Sequence, residues 1–103
     1  MVDINNLEGM LESGQDTALL RFTLGNVFIR KDKYEQAIKH LARAVELDPG
    51  YSAAWKAYGR ALAGLGRMQE AEAVYRKGIA IAHEKGDKQA AKEMEVFLRR
   101  LEK

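Results

Sequence analysis

One hundred and three residues carry seventeen basic and fifteen acidic side chains, a net charge of +2, one proline and no cysteine. A balance that close excludes the strong electrostatic footprint of a nucleic-acid binder, and the missing cysteine excludes a disulfide framework and any thiolate metal site. The length suits one domain. The apolar runs fall far short of the ~20 residues that span a bilayer, and Met1-Val2-Asp3-Ile4-Asn5 has neither the basic start nor the apolar stretch of a secretion signal, so the expected location is cytoplasmic.

Residues 3–13 are expected to be helical on register grounds given below. Thr17 to Arg30 reads as a helix because Leu20, Leu24, Val27 and Phe28 recur at spacings of three and four, with Asp16 or Thr17 able to cap its start. Lys31-Asp32-Lys33 is a polar break, and Asp32 tolerates the left-handed conformation that ends helices. Tyr34 to Leu47 is the next helix, with Ala37, Ile38, Leu41, Ala44 and Val45 on one side, closed by Asp48-Pro49-Gly50. Ser52 to Leu65 follows, with Ser52 as its expected cap and Gly66 as its left-handed stop. Met68 to about Lys85 is predicted to run longer, since His83 stands where a second Pro49 would. Gly86-Asp87 breaks and re-caps the chain before a last helix, Lys88 to Leu101, with Ala91, Met94, Leu98 and Leu101 inward. Glu35–Lys39, Glu72–Arg76 and Glu95–Arg99 are spaced as i,i+4 pairs and mark solvated faces.

Gly25 and Gly59 lie 34 residues apart, as do Ala37 and Ala71. A fixed period of that length in a helical pattern means one two-helix unit copied and stacked. Shifted by the same interval, Leu7 falls on Leu41 and Met10 on Ala44, so residues 3–13 read as a partial unit covering one flank, and the last helix covers the other. Gly25, Ala37, Gly59 and Ala71 are small so that paired helices can approach to the usual ~8–10 Å.

Those positions carry a resemblance. Trp55-x2-Tyr58-Gly59-x2-Leu62 followed by Ala71-x3-Tyr75 and Gly78, and Arg21-x2-Leu24-Gly25-x2-Phe28 followed by Ala37-x3-Leu41, Ala44 and Pro49, resemble the tetratricopeptide repeat. The departures are Arg21 for tryptophan and His83 for proline. Arg21 is expected to lie over apolar surface and reach water. The resemblance implies an all-α superhelix of stacked antiparallel helix pairs. The chain would form a single domain with a half-repeat at 3–13, repeats at 18–51 and 52–85 and a capping helix at 87–102. It also implies a non-enzymatic protein-binding module, an adaptor or scaffold without a cofactor, whose first helices line a concave groove.

By resemblance the groove positions are Leu19, Phe22, Asn26 and Ile29, then Ala53, Lys56, Arg60 and Ala63. Phe22, Asn26, Ile29, Lys56 and Arg60 are the candidate partner-binding residues: an apolar end and a basic end, suited to a short helix or extended segment with a hydrophobic anchor and a nearby carboxylate. Phe22 and Ile29 read equally well as core. Some family members grip a C-terminal carboxylate with lysine and asparagine. Asn26 matches, but Phe22, Ala57, Asp87 and Ala91 stand at the other positions, so chaperone-tail binding is not expected. The helix from Thr17 to Arg30 is apolar around much of its circumference, so something is expected to cover it: the last helix folded back, or a partner. Self-association through it, as a homodimer, is the alternative function. His40 and His83, far apart in sequence, form no metal-ligand pattern, and Ser13 and Ser52 have neither histidine nor glycine elbow nearby.

Overall fold

The computed structural model describes residues 3–102. Among the described residues six helices follow one another: α1 Ile4–Glu12, α2 Ala18–Arg30, α3 Tyr34–Leu47, α4 Ser52–Gly64, α5 Met68–Lys85 and α6 Lys88–Leu101. The chain is an all-α stack of antiparallel pairs, α2 against α3 and α4 against α5, with α6 closing on α5. Because each tight turn reverses the chain, α2, α4 and α6 run side by side in one layer, in contact as α2 with α4 and α4 with α6. The other helices form the second layer.

The turns follow from their residues. Asp32, at φ 59°, and Gly66, at φ 87°, occupy the left-handed region at the two equivalent reversals. Thr17 Oγ1 accepts from Leu20 N at 3.1 Å and caps α2, and Asp87 Oδ1 accepts from Ala90 N at 3.1 Å and caps α6. Ser52 is not a cap. Gly50 N donates to Asp48 Oδ1 and Tyr51 N to Asp48 O, both at 3.1 Å, so the turn extends to Tyr51, and Ser52 is already buried in the first turn of α4.

Close approach explains the small residues. A Cβ on Gly25 would lie 2.4 Å from Leu41 Cγ, and one on Gly59 2.4 Å from Tyr75 Cε1. Ala37 and Ala71 are fully buried beside them. The core then runs in clusters: Leu20, Leu24, Phe28 and Leu41 with Ala57 and Ala61; Ala44, Val45 and Ala54; and Leu62, Tyr75, Met94 and Leu98 under α6. Filled in this way, the layers hold without strands or disulfides.

Two expectations about charge change. None of the three i,i+4 pairs forms an ion pair among the described residues. Arg76 reaches Glu102 instead, and His83 lies 3.3 Å from Glu95, both across the α5–α6 contact. Exposed helix pairs contribute only ~0.3–0.5 kcal/mol, so a partner on a neighbouring helix readily wins. Arg21 keeps 22% of its side-chain surface in water, but its charge is paired. Its Nε lies 2.7 Å from Asp16 Oδ1, its Nη2 3.2 Å from Asp16 Oδ2, and its Nη1 donates to His40 Nδ1 at 3.1 Å. The His40 ring stacks on Phe28, with 5.6 Å between centroids.

Candidate functional site: the face of α2, α4 and α6

Three parallel helices present one continuous face, and sequence reasoning located candidates on the first two. On α2, Phe22 and Ile29 are half-buried and pack against the core cluster of Leu20, Leu24 and Phe28. The Phe22 ring lies 4.9 Å from that of Tyr51, tying the start of α4 to α2. Both side chains thus belong to the edge of the core. Asn26 lies one turn from each and is also half-buried, whereas Leu19, a turn before Phe22, is 64% exposed. The last helix does not cover α2. It contacts α4 and α5, and the cover on α2 comes from α1, whose Ile4, Leu7 and Leu11 lean on the same cluster.

On α4 the two cations have different fates. Lys56 Nζ donates to Glu93 Oε1 of α6 at 2.7 Å, and Gln89 Nε2 donates to the other oxygen at 3.4 Å. The hydrogen bond from Lys56, then that from Gln89, holds the Glu93 carboxyl below its ordinary range. Arg60 is exposed, and its guanidinium carbon sits 5.8 Å from the centroid of Phe97 on α6. Arg100, one turn further along α6, places its own guanidinium 5.7 Å from the same centroid. Beneath, Phe97 stacks on Tyr75 at 5.9 Å, and burial pushes the Tyr75 phenol up to about 12.

Glu93, Phe97 and Arg100 were not anticipated. At the repeat interval Lys56 faces Ala90 and Arg60 faces Met94, but in the structure Lys56 meets a residue 37 positions on, and so does Arg60. Part of the change comes from α5, which is 18 residues long against 14 in α3, so that α6 begins at Lys88, 36 residues after the start of α4 at Ser52. The missing second proline signals the longer α5, but it does not by itself fix the register of α6. The other two positions where a carboxylate grip needs basic residues are spent on structure: Asp87 caps α6 and Ala91 is buried.

The chain is matched by known proteins. The tetratricopeptide repeat model aligns with residues 22–85. The chain belongs to the tetratricopeptide repeat family. It is 48% identical over 100 residues to a TPR repeat-containing protein of Pseudomonas aeruginosa, covering 97% of this chain and 95% of that one. A protein of Bordetella parapertussis solved in solution superimposes with a TM-score of 0.85 at 42% identity, over 98% of this chain and 88% of that one. The second TPR domain of human RPAP3, solved in complex with an HSP70 peptide, matches with a TM-score of 0.70 at 26% identity, over 96% of this chain and 91% of that one. Tetratricopeptide repeats are protein–protein interaction modules, and the chain carries that general function. No helix among the described residues is long and apolar enough to cross a membrane.

Proposed function

We propose that this chain binds a segment of a partner protein, extended or helical, on the face formed by α2, α4 and α6, and acts as an adaptor or scaffold. Residues 18–51 and 52–85 are read as its two repeats, flanked by 3–13 and 87–102, and a cytoplasmic location goes with this reading. The observation that carries it is the juxtaposition on one face of an apolar edge, Phe22, Ile29 and the exposed Leu19, with the cationic Arg60. The peptide-bound RPAP3 domain supports it as a structural relative that holds a peptide. Phe22, Asn26, Ile29, Lys56 and Arg60 are the proposed contact residues, with Lys56 reaching a ligand only by exchanging Glu93 for it.

A selection of random displayed peptides on the intact chain tests the reading. Sequences enriched on the native protein should be lost on Asn26→Trp, whose indole would fill the face between Phe22 and Ile29, while its melting temperature stays close to native. Enrichment that persists on a folded Asn26→Trp protein refutes the groove. The exposure of Leu19 favours a second reading, self-association through α2. Concentration-dependent mass in sedimentation, abolished by Leu19→Glu, would be its signature.

A further inference from the structure

We propose that Arg60 and Arg100, both held close to the Phe97 ring, form a preorganised anion anchor that takes side-chain carboxylates of an acidic partner segment. The inference rests on the groove reading and adds the chemistry of the ligand. Three observations lead to it. The two guanidinium carbons lie 5.8 Å and 5.7 Å from one centroid, and they arrive from different helices, α4 and α6. Neither makes an ion pair with a carboxylate among the described residues, whereas Lys56 on the same face is neutralised by Glu93 at 2.7 Å. The ring they share is itself fixed, stacked at 5.9 Å on the buried Tyr75.

The chemistry follows from arginine's shape. A guanidinium over an aromatic face keeps its planar edge of N–H donors free, and that edge matches a carboxylate. Lysine at either position would lack the fork. Stacking also removes much of the rotamer freedom that a free surface arginine loses on binding, so less affinity is given up to ordering. Two such forks gathered at one ring suit two acidic side chains of a single segment. The charge on the face is complementary to it, since the Lys56–Glu93 pair cancels itself and leaves Arg60 and Arg100 uncompensated. The apolar edge of α2 supplies the other half of the specificity: an acidic stretch with a hydrophobic residue beside it.

The peptide selection described above tests this with three further arms. Peptides enriched on the native chain should be rich in Asp and Glu. They should bind Arg60→Gln/Arg100→Gln at least about tenfold more weakly, and Lys39→Gln, which removes an exposed cation on α3 away from this face, within about threefold of native. Affinity should fall as salt is raised from about 50 mM to about 500 mM, as for exposed charges. Amidating the peptide C-terminus should leave binding unchanged, because the ligand is a side-chain carboxylate. Enriched peptides that are not acidic, or that bind the double glutamine variant as tightly as native, overturn the anchor while leaving the groove standing. Loss on C-terminal amidation overturns the assignment to side chains. No enrichment on the native chain overturns anchor and groove together. Both arginines are surface residues, so the double variant is expected to fold, and its melting curve verifies that before binding is compared.

Discussion

The two ends of the stack are both sealed by a helix, and they are sealed very differently. At the C-terminal end α6 buries Ala90, Ala91, Met94 and Leu98. At the N-terminal end α1 buries no side chain; Ile4, Leu7 and Leu11 are only half-covered. An open depression of about 760 Å³, lined among others by Ile4, Glu8, Phe28 and Lys31, remains beside it. Composition explains the contrast. Methionine fills irregular space well, and the paired alanines of α6 permit close contact. The polar Asn5, Asn6 and Gly9 of α1 neither fill space nor favour a helix. An edge helix therefore does its work through the volume it inserts, and only one of these two inserts much.

Met94→Ala is the largest test of that contrast. Met94 is fully buried among Leu62, Tyr75 and Leu98, and shortening it leaves a cavity as well as removing apolar contact. The expected loss is about 2–4 kcal/mol by chemical denaturation. A loss below about 1 kcal/mol would mean that α6 is no better seated than α1.

Gly78→Ala probes the same contact from the other side. A Cβ there would lie 2.6 Å from Met94 Sδ and 2.8 Å from Trp55 Cβ, so Met94 must repack and α4 must give way. The expected cost is about 1–3 kcal/mol, against a small gain in helix propensity. Combined with Met94→Ala, the added methyl enters the vacated space, and the double variant should be more stable than the sum of the single losses allows. Strict additivity would separate the two residues energetically and undo the account of α6.

The same contact marks how far the sequence could be read. The pairing of α2 with α3 and α4 with α5 was legible because Gly25 and Gly59 answer to Leu41 and Tyr75, large residues that leave no room for a Cβ. That constraint repeats, so it appears in the chain as a period. The seating of α6 was legible only as an inward stripe. Its register was not, because it depends on the length of α5, a property of two helices at once. The site divided along that line. Phe22, Asn26, Ile29, Lys56 and Arg60 are candidates by family resemblance and repeat position, whereas their neighbours Glu93, Phe97 and Arg100 emerge only with the 37-residue offset. The Arg21–Asp16–His40 group was missed for a related reason: Arg21 was judged by what it replaces, and its partners lie on a loop and another helix.

That group makes the N-terminal half the pH-sensitive one. His40 is half-buried and accepts from Arg21, and burial first, then the Arg21 charge, lowers its pKa; Glu8 and Asp16 pull weakly the other way, and Lys39 adds to the lowering. The folded state therefore resists a proton that the unfolded chain takes up near the ordinary value of 6.5. Stability is complete above that value, begins to fall below it, and continues to fall until the pH passes the folded pKa. Asp16, whose carboxyl is held low chiefly by its hydrogen bond to Arg21, adds a second loss only in more acidic solution. Denaturation from about pH 7.5 to about pH 5 should give native protein a steeper decline than His40→Gln, whose amide oxygen can accept from Arg21 without titrating. Parallel curves would show that the histidine is indifferent to folding.

Gly9→Ala should give the smallest effect and the opposite sign. Gly9 lies inside α1, yet a Cβ placed there meets nothing within 4 Å. Unlike Gly25, Gly59 and Gly78, it purchases no close contact for its conformational freedom. Alanine should therefore favour α1 by about 0.5–1 kcal/mol through backbone entropy alone. Amide exchange is the sensitive measure, because a loosely seated helix opens on its own without global unfolding. Protection should rise within Ile4–Glu12 and stay unchanged in α4 and α5. If global stability rises by as much as local protection does, α1 unfolds with the rest of the stack, and the two ends differ in packing but not in cooperativity.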